Sequence, residues 1–349
     1  MDRPTDIRKG EEQNWDALDT YLQSVIDTTG KMEVAQFHGG HANLTYLISY
    51  GDAEYVLRRP PFGKIAPGAH DMKREYSVLS KLYAHFSPAP KAFHFCDDDS
   101  ILGAPFVLLE RKKGIVVRAK LSQEFTSFDN IERRLSASLM NTLSDLHKVD
   151  YEKANLAALG RPNGYVERQL AGWTKRWNLS KIDENKEMEE VLKRLAKHIP
   201  TTQKNTIVHN DFKLDNCQFQ PNDPDIITGV FDWDMCTIGD PLTDLGTTLS
   251  YWYDPKFADY NLPIMLSGDL PDKSFLKKIY AQKSGLDLSH IQWYEALAFA
   301  KGVVIAQQLY ARYVQGASTD SRMKLFGSTA KLLSKIALES IEKLSLIHI

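Results

Sequence analysis

Cysteine is scarce in this chain of 349 residues: only Cys96, Cys217 and Cys236 occur, with no C-x-x-C spacing. Neither a disulfide framework nor a zinc site can be built on that pattern, which suits a reducing cytoplasm. An excess of one charge is missing too. The 43 basic and 45 acidic residues leave a net charge of −2, which gives no global attraction to nucleic acid or to an anionic membrane. No uncharged apolar run approaches a membrane span, and the charged N-terminus lacks the apolar core of a secretory signal. Neither nucleic acid nor membrane is therefore expected as a partner, and the expected location is cytoplasmic. What is present, 43% hydrophobic and 25% charged residues, is the make-up of a globular protein. The length allows one large domain or two lobes.

Two short segments carry the chemistry. His209 to Asn216 reads H-N-D-F-K-L-D-N, and Phe231 to Asp234 reads F-D-W-D. Asp211 stands five residues before Asn216, and Asp232 sixteen residues after it. Phosphoryl transfer needs one carboxylate at the acceptor hydroxyl, and an Asn and a second carboxylate to hold Mg²⁺ on nucleotide phosphates. The apolar stretch Ile226 to Val230 is suited to pair with Cys217 to Phe219 as a hairpin, which would bring Asn216 and Asp232 to one end. Asp211 is thus the catalytic candidate and Asn216 and Asp232 the metal ligands. The plainer alternative is that Asp211 and Asp232 cap turns.

Along the chain, Trp15, Leu18, Tyr21, Leu22 and Val25 recur at helical spacing. Two β-prone stretches follow between Gln36 and Tyr50, and Tyr46-Leu47-Ile48 and Tyr55-Val56-Leu57 flank the turn residues Gly51 and Asp52. Met72 to Phe86 reads as a helix that Ser87-Pro88 stops. Phe93 to Phe95 and Phe106 to Leu109 read as strands. Beyond Lys112 the pattern becomes helical: Ile131 to Leu146, Met188 to Ile199, Ile291 to Val314 and Met323 to Lys343. Asp240-Pro241 reads as a cap followed by proline at the first helical position. The expected class is α+β, with a small strand-rich N-lobe over residues 1–111 and a large helical C-lobe over 112–343. Leu344 to Ile349 matches the in-frame translation of a sequencing-library adapter end and is expected to be a non-native tail.

The spacing of Asp211, Asn216 and Asp232 resembles the aminoglycoside phosphotransferase and choline kinase superfamily, relatives of the protein kinases. Gly239-Asp240-Pro241 with Asp244-Leu245 is similar to its G-D-P-x-x-D-L segment. The resemblance implies a protein-kinase-like two-lobed fold that uses ATP and Mg²⁺. Gly39 and Gly40, between strands, would let backbone N–H groups approach phosphate. With Asn43, Thr45 and Tyr46 they resemble the superfamily's G-G-x-x-N-x-T-Y phosphate loop, although Ala42 stands where many relatives carry Ser. Arg58 occupies the place of the strand lysine that meets the α- and β-phosphates, with Glu75 on the next helix as its partner. The alternative is a solvated Arg pair at a strand end. Leu109 to Arg111 fits the crossing between lobes, where backbone groups bind adenine. Lys213 is placed to reach the transferred phosphate, or else is solvated. His209, Asp215 and Asp244 are expected to shape the loop, and His147 to pack.

The acceptor is argued from weaker features. Arg58-Arg59-Pro60-Pro61-Phe62-Gly63, Ala69-His70 and Tyr165-Val166-Glu167-Arg168-Gln169 with Trp173 and Trp177 look like the kinase domain of long acyl-CoA dehydrogenase family proteins and their free-standing bacterial relatives. That likeness implies a small-molecule hydroxyl acceptor that is CoA-linked, a hydroxyacyl-CoA. Arg161, Arg168, Lys175 and Arg176 form a basic stretch suited to CoA phosphates, or an ordinary helix face. Asp183 to Glu187 is an acidic run that a cationic aminoglycoside would want, or an exposed first helical turn. Other small alcohols, and a non-catalytic nucleotide-binding pseudokinase, stay open as alternatives.

Overall fold

The computed structural model describes residues 4–38, 43–63, 71–118, 121–252, 270–318 and 320–342. The strands are β1 (Met32–Gln36), β2 (Leu44–Tyr50), β3 (Ala53–Arg59), β4 (Ala92–Cys96), β5 (Phe106–Glu110), β6 (Ile115–Val116), β7 (Thr206–Val208), β8 (Cys217–Gln220), β9 (Asp223–Val230) and β10 (Thr237–Gly239). The helices are α1 (Trp15–Val25), α2 (Met72–Leu82), α3 (Asp99–Leu102), α4 (Ile131–Leu146), α5 (Tyr165–Ser180), α6 (Lys186–Lys197), α7 (Pro241–Ser250), α8 (Lys273–Ser284), α9 (Ile291–Val314) and α10 (Phe326–Glu342). The described elements make an α+β chain, as expected. Gly39, Gly40, Ala69, His70 and the tail from Leu344 lie outside the described residues.

Two compact units form, one of residues 1–139, 149–159 and 214–236, the other of 140–148, 160–213 and 237–349. The compact units interleave along the chain rather than dividing at one residue, and strands β6 to β10 follow residue 111. The first unit takes in the hairpin after Asp211 because β8 pairs with β6, the strand just beyond β5: Ile115 faces Phe219 and Val116 faces Gln218.

In the first unit a five-stranded sheet runs in the order β1-β2-β3-β5-β4, and every neighbouring pair is antiparallel. Alternation along β2 and β5 sends Tyr46, Ile48, Phe106 and Leu108 into a core that Leu18 and Leu22 of α1 complete. Each such fully buried aliphatic side chain contributes roughly 1.5–3 kcal/mol. Asp71 caps α2 by accepting from the Arg74 N–H at 2.9 Å. The buried stripe of α2 is Met72, Glu75, Val78, Leu79 and Leu82, a carboxylate set into an apolar face.

The second unit is helical, built around α9. Fourteen of its 24 residues are buried, so it is apolar nearly all round, as a helix packed on several sides must be. Asp240 caps α7, accepting from the Leu242 N–H at 2.9 Å, with Pro241 at the first helical position. β7 and β10 pair antiparallel, with Ile207 opposite Ile238.

Candidate active site

In the first unit a cavity of about 320 Å³ opens between the five-stranded sheet and the β6-β8-β9 sheet. Val56 and Leu109 line it from β3 and β5, and Val116 and Gln218 from the smaller sheet. Asn43, Thr45, Arg58, Arg111, Asn216 and Asp232, each read from the sequence as a nucleotide or metal contact, line the same space. The hairpin explains why Asn216 and Asp232 meet. Cys217 pairs with Val230, and the Phe231 N–H donates to the Asn216 carbonyl at 2.9 Å. Asp232 itself holds φ of +72°, a left-handed backbone that few non-glycine residues adopt and that aims its carboxylate away from the strand.

Arg58 ties this wall together. Its guanidinium donates to Glu75 Oε1 and, at 3.3 Å, to Asp232 Oδ1. Burial opposes the charge of Arg58, but Glu75 and Asp232 hold its pKa above the usual value. Burial pushes Glu75 up to about 7 against the pull of Arg58, with Asp232 and Asp234 pushing the same way. Arg59 turns to the other face and is buried, donating to the Leu102 carbonyl at 2.7 Å. The strand end is thus not a solvated Arg pair. Arg111 pairs with Glu54 at 2.9 Å.

Four polar atoms on this side lack partners among the described residues: both ends of the Asn43 amide, Glu75 Oε2 and Gln218 Oε1. Gln218 is a cavity residue that the sequence reading missed. It lies inside an apolar strand pattern, and only its buried, unpaired amide distinguishes it.

The second unit holds His209 to Lys213. Asp244, fully buried, accepts from the N–H groups of His209 and Asn210 at 2.5 Å each, and from His147 Nε2 at 3.2 Å. Burial alone would raise the pKa of Asp244. His147, His209 and the backbone donors outweigh that and hold it below the usual carboxylate range. The Asp211 N–H donates to His209 Nδ1 at 3.3 Å, so His209 shapes the loop. Asn210 holds φ of +68°, and its amide oxygen accepts from the Tyr165 hydroxyl at 3.1 Å. Gly239 makes room for that tyrosine, because a Cβ there would stand 2.5 Å from the ring. Around the Asp211 carboxylate, the Tyr251 hydroxyl donates to Oδ1 at 2.7 Å and Lys213 Nζ lies 3.2 Å from Oδ2. Tyr251 and Lys301 are neighbours of this loop that the sequence reading did not select. Nothing in the local pattern marks Tyr251, and Lys301 is one of three charged residues, with Glu295 and Arg312, in the largely apolar α9.

Arg168 donates to the carbonyls of Arg161 and Asn163, so it is spent on its own loop. Asp183 and Glu184 are exposed ahead of α6, which Asn185 caps by accepting from the Met188 N–H at 2.9 Å. The acidic run is therefore a helix start.

A profile of the phosphotransferase enzyme family matches residues 33–271, more than half of the chain. The chain belongs to this family. Acyl-CoA dehydrogenase family member 10 of Mus musculus is 29% identical over 342 residues, 95% of this chain and 31% of that protein. The chain spans well under half the length of the curated relatives it matches. Among solved structures, a Ralstonia eutropha protein assigned to the aminoglycoside phosphotransferases is 26% identical with a TM-score of 0.80, covering 95% of this chain and 99% of its own. Choline kinase of Cryptosporidium parvum shares the fold at a TM-score of 0.64 and 12% identity, covering 95% and 96%. With the family goes the activity: the chain is a small-molecule phosphotransferase of kinase-like fold.

Proposed function

We propose that this phosphotransferase moves the γ-phosphoryl group of ATP, with Mg²⁺, to the hydroxyl of a hydroxyacyl-CoA. The observation that carries the reading is the meeting of Arg58, Asn216 and Asp232 on one cavity wall beside the unpaired Asn43 amide. An Asn and an Asp offering oxygen atoms, with phosphates and water for the remaining places, suit a hard divalent ion that keeps several waters. Among the described residues no group of three His, Cys, Asp or Glu side chains is placed to hold a metal ion, so no all-protein metal cage competes with that assignment. When bound, Mg²⁺ would neutralise charge on the nucleotide phosphates.

The rest falls to the chain's own residues. Arg58 would bind phosphate oxygens as a fork and is held ready by Glu75. Val56, Leu109 and Val116 offer apolar walls for a flat base. Gly39 and Gly40 would supply backbone N–H groups to phosphate. Asp211, held by Tyr251 and Lys213, would orient the acceptor hydroxyl. Its oxygen forms a bond to the γ-phosphorus while the bond to the bridging oxygen breaks. The electron pair leaves with ADP, and the proton passes to Asp211. Lys213 would meet the transferred phosphoryl oxygens.

The acyl-CoA assignment is supported by curated relatives bearing acyl-CoA dehydrogenase names across most of this chain. The Ralstonia neighbour favours an aminoglycoside as the second reading. The test is phosphate transfer from labelled ATP to a 4-hydroxyacyl-CoA, a 3-hydroxyacyl-CoA, kanamycin and choline, with and without Asp211→Ala. The expected result is transfer to a hydroxyacyl-CoA that falls by about 10²–10⁴-fold in the variant, with Mg·ATP binding retained by calorimetry. Unchanged turnover would refute the role of Asp211, and preference for kanamycin would move the acceptor to the second reading.

A further inference from the structure

Lys301 is out of keeping with its helix. Ala298, Phe299, Ala300, Val303 and Val304 around it are buried apolar residues of α9. Its ammonium makes one hydrogen bond among the described residues, to the Asn210 carbonyl at 2.9 Å, one residue before Asp211. An ammonium has three donors. The same ammonium lies 5.9 Å from the centre of the Trp173 ring, over which the guanidinium of Arg176 stacks at 4.5 Å. Burial lowers the pKa of Lys301. Asp211 and Asp244 oppose that shift, while Lys213 and Arg176 add to it.

These neighbours set the sign of the field beside Asp211. Lys301, Arg176 and Lys213 are cations, and the carboxylates that act on Lys301 are Asp211 and Asp244. Asp244 is already committed to two backbone N–H groups and His147. A polyamine brought to Asp211 would meet three like charges. An acceptor bearing an oxygen dipole or anion near its hydroxyl would meet donors.

Resting on the reading of Asp211 as the group that meets the acceptor hydroxyl, we infer that Lys301 and Arg176, both beside the Trp173 ring, receive the acyl oxygen of the acceptor. That oxygen belongs to a thioester carbonyl or a carboxylate. Lys301 thereby sets acceptor specificity, a role distinct from binding CoA phosphates. An unshielded ammonium and a stacked guanidinium make charge-assisted hydrogen bonds to such an oxygen, stronger than neutral ones.

The experiment compares four acceptors of one carbon skeleton: the 4-hydroxyacyl-CoA, the same acyl group on N-acetylcysteamine, the free 4-hydroxy acid, and the matching diol without an acyl oxygen. The readout is the ratio of kcat/KM for each acyl acceptor to that for the diol, in wild type, Lys301→Met, Lys301→Arg and Arg176→Gln. Lys301→Met should lower that ratio by about 10- to 100-fold, the worth of a hydrogen bond to a charged group. Lys301→Arg should restore most of it. Arg176→Gln, a change at an exposed position that leaves the core untouched, should lower it in the same direction. A drop confined to the thioesters identifies the carbonyl as the ligand; a drop confined to the free acid identifies the carboxylate. Equal losses on acyl acceptor and diol would mean that Lys301 only braces the Asn210 carbonyl, and would overturn the inference. Wild-type preference for the diol or for kanamycin would overturn it as well. Failure of the underlying reading looks different: Asp211→Ala would then leave phosphate transfer unchanged on every acceptor.

Discussion

The cavity wall proposed to receive nucleotide and the segment proposed to carry catalysis are both polar, and they treat their polar groups in opposite ways. Around His209 to Asp211, Asp244 takes up two backbone N–H groups, Tyr165 holds the Asn210 amide, and Lys301 takes the Asn210 carbonyl. On the cavity wall the Asn43 amide and Gln218 Oε1 are buried without partners among the described residues, as is Oε2 of Glu75, the partner of Arg58. A buried polar group left unpaired costs about 1–3 kcal/mol. One region therefore spends stability on groups held in reserve, as a ligand-receiving surface must. The other fixes its geometry in advance, as a site that stabilises charge during reaction does. Substitutions should separate the two: on the catalytic segment stability and turnover fall together, while on the cavity wall stability rises as ligand affinity falls.

The largest effect is expected at Asp244. Asp244→Ala strands two N–H groups and His147 in the core and should cost about 3–5 kcal/mol, read by urea unfolding. The pH dependence follows from its depressed pKa. Its stabilisation is complete above the ordinary carboxylate value of about 3.9 and fades as pH falls through the lower folded pKa. The stability gap between wild type and Asp244→Asn should thus be level near neutrality and close in acid. A gap that widens as pH falls would remove Asp244 from the role of charged brace.

Next comes the Arg58–Glu75 pair. Replacing both, as Arg58→Met with Glu75→Leu, exchanges a buried ion pair and an unpaired carboxylate oxygen for apolar contact. Such exchanges are neutral or stabilising by about 1–4 kcal/mol. Mg·ATP affinity measured by calorimetry should nevertheless fall, since the guanidinium proposed to meet the phosphates is gone. A double variant that loses stability as well would mean that the pair holds the fold together, and the contrast between regions would weaken.

Much of this arrangement was legible in the chain, for physical reasons that differ by element. Helix α4 matches its expected span because a long 3.6-residue period overdetermines it, and α9 because an apolar-rich segment of that length is too long for a strand. The Cys217–Val230 hairpin was readable from a short apolar run facing another, and it delivers Asn216 and Asp232 to one wall. β7 and β10 were not readable, since three residues contain no period. Helix α8 escaped because no part of its pattern was taken up. Tyr251, Gln218 and Lys301 could not be found from spacing at all. Each reaches the site through tertiary packing, and only Lys301 left a trace, a charge within an apolar run.

Asn43→Ala probes the wall more directly. Both ends of its amide are buried without a partner among the described residues, so truncation should raise stability by about 1 kcal/mol and weaken Mg·ATP binding by about tenfold. Thermal unfolding with and without nucleotide reads both effects in one experiment: the variant should melt higher alone and gain less from ligand. A variant that melts lower alone would show that Asn43 is structurally satisfied and belongs with the braced region.

The smallest effect is expected at Gln218, and it sharpens the comparison most. Val116 and Gln218 are cross-strand partners on the cavity-lining face of β6 and β8. A leucine of similar size would match Val56, Leu109 and Val116 around the same space. Gln218→Leu should then stabilise the protein by about 1 kcal/mol, because it removes a desolvated oxygen and adds apolar contact. Its consequence for ligand depends on what that oxygen receives. An exocyclic amine of the base is the donor the apolar slot would bring near it, so ATP affinity should fall while free triphosphate affinity stays level. Equal losses for nucleotide and triphosphate would place Gln218 at the phosphates. No loss for either would leave its unpaired oxygen a cost with no ligand to answer it.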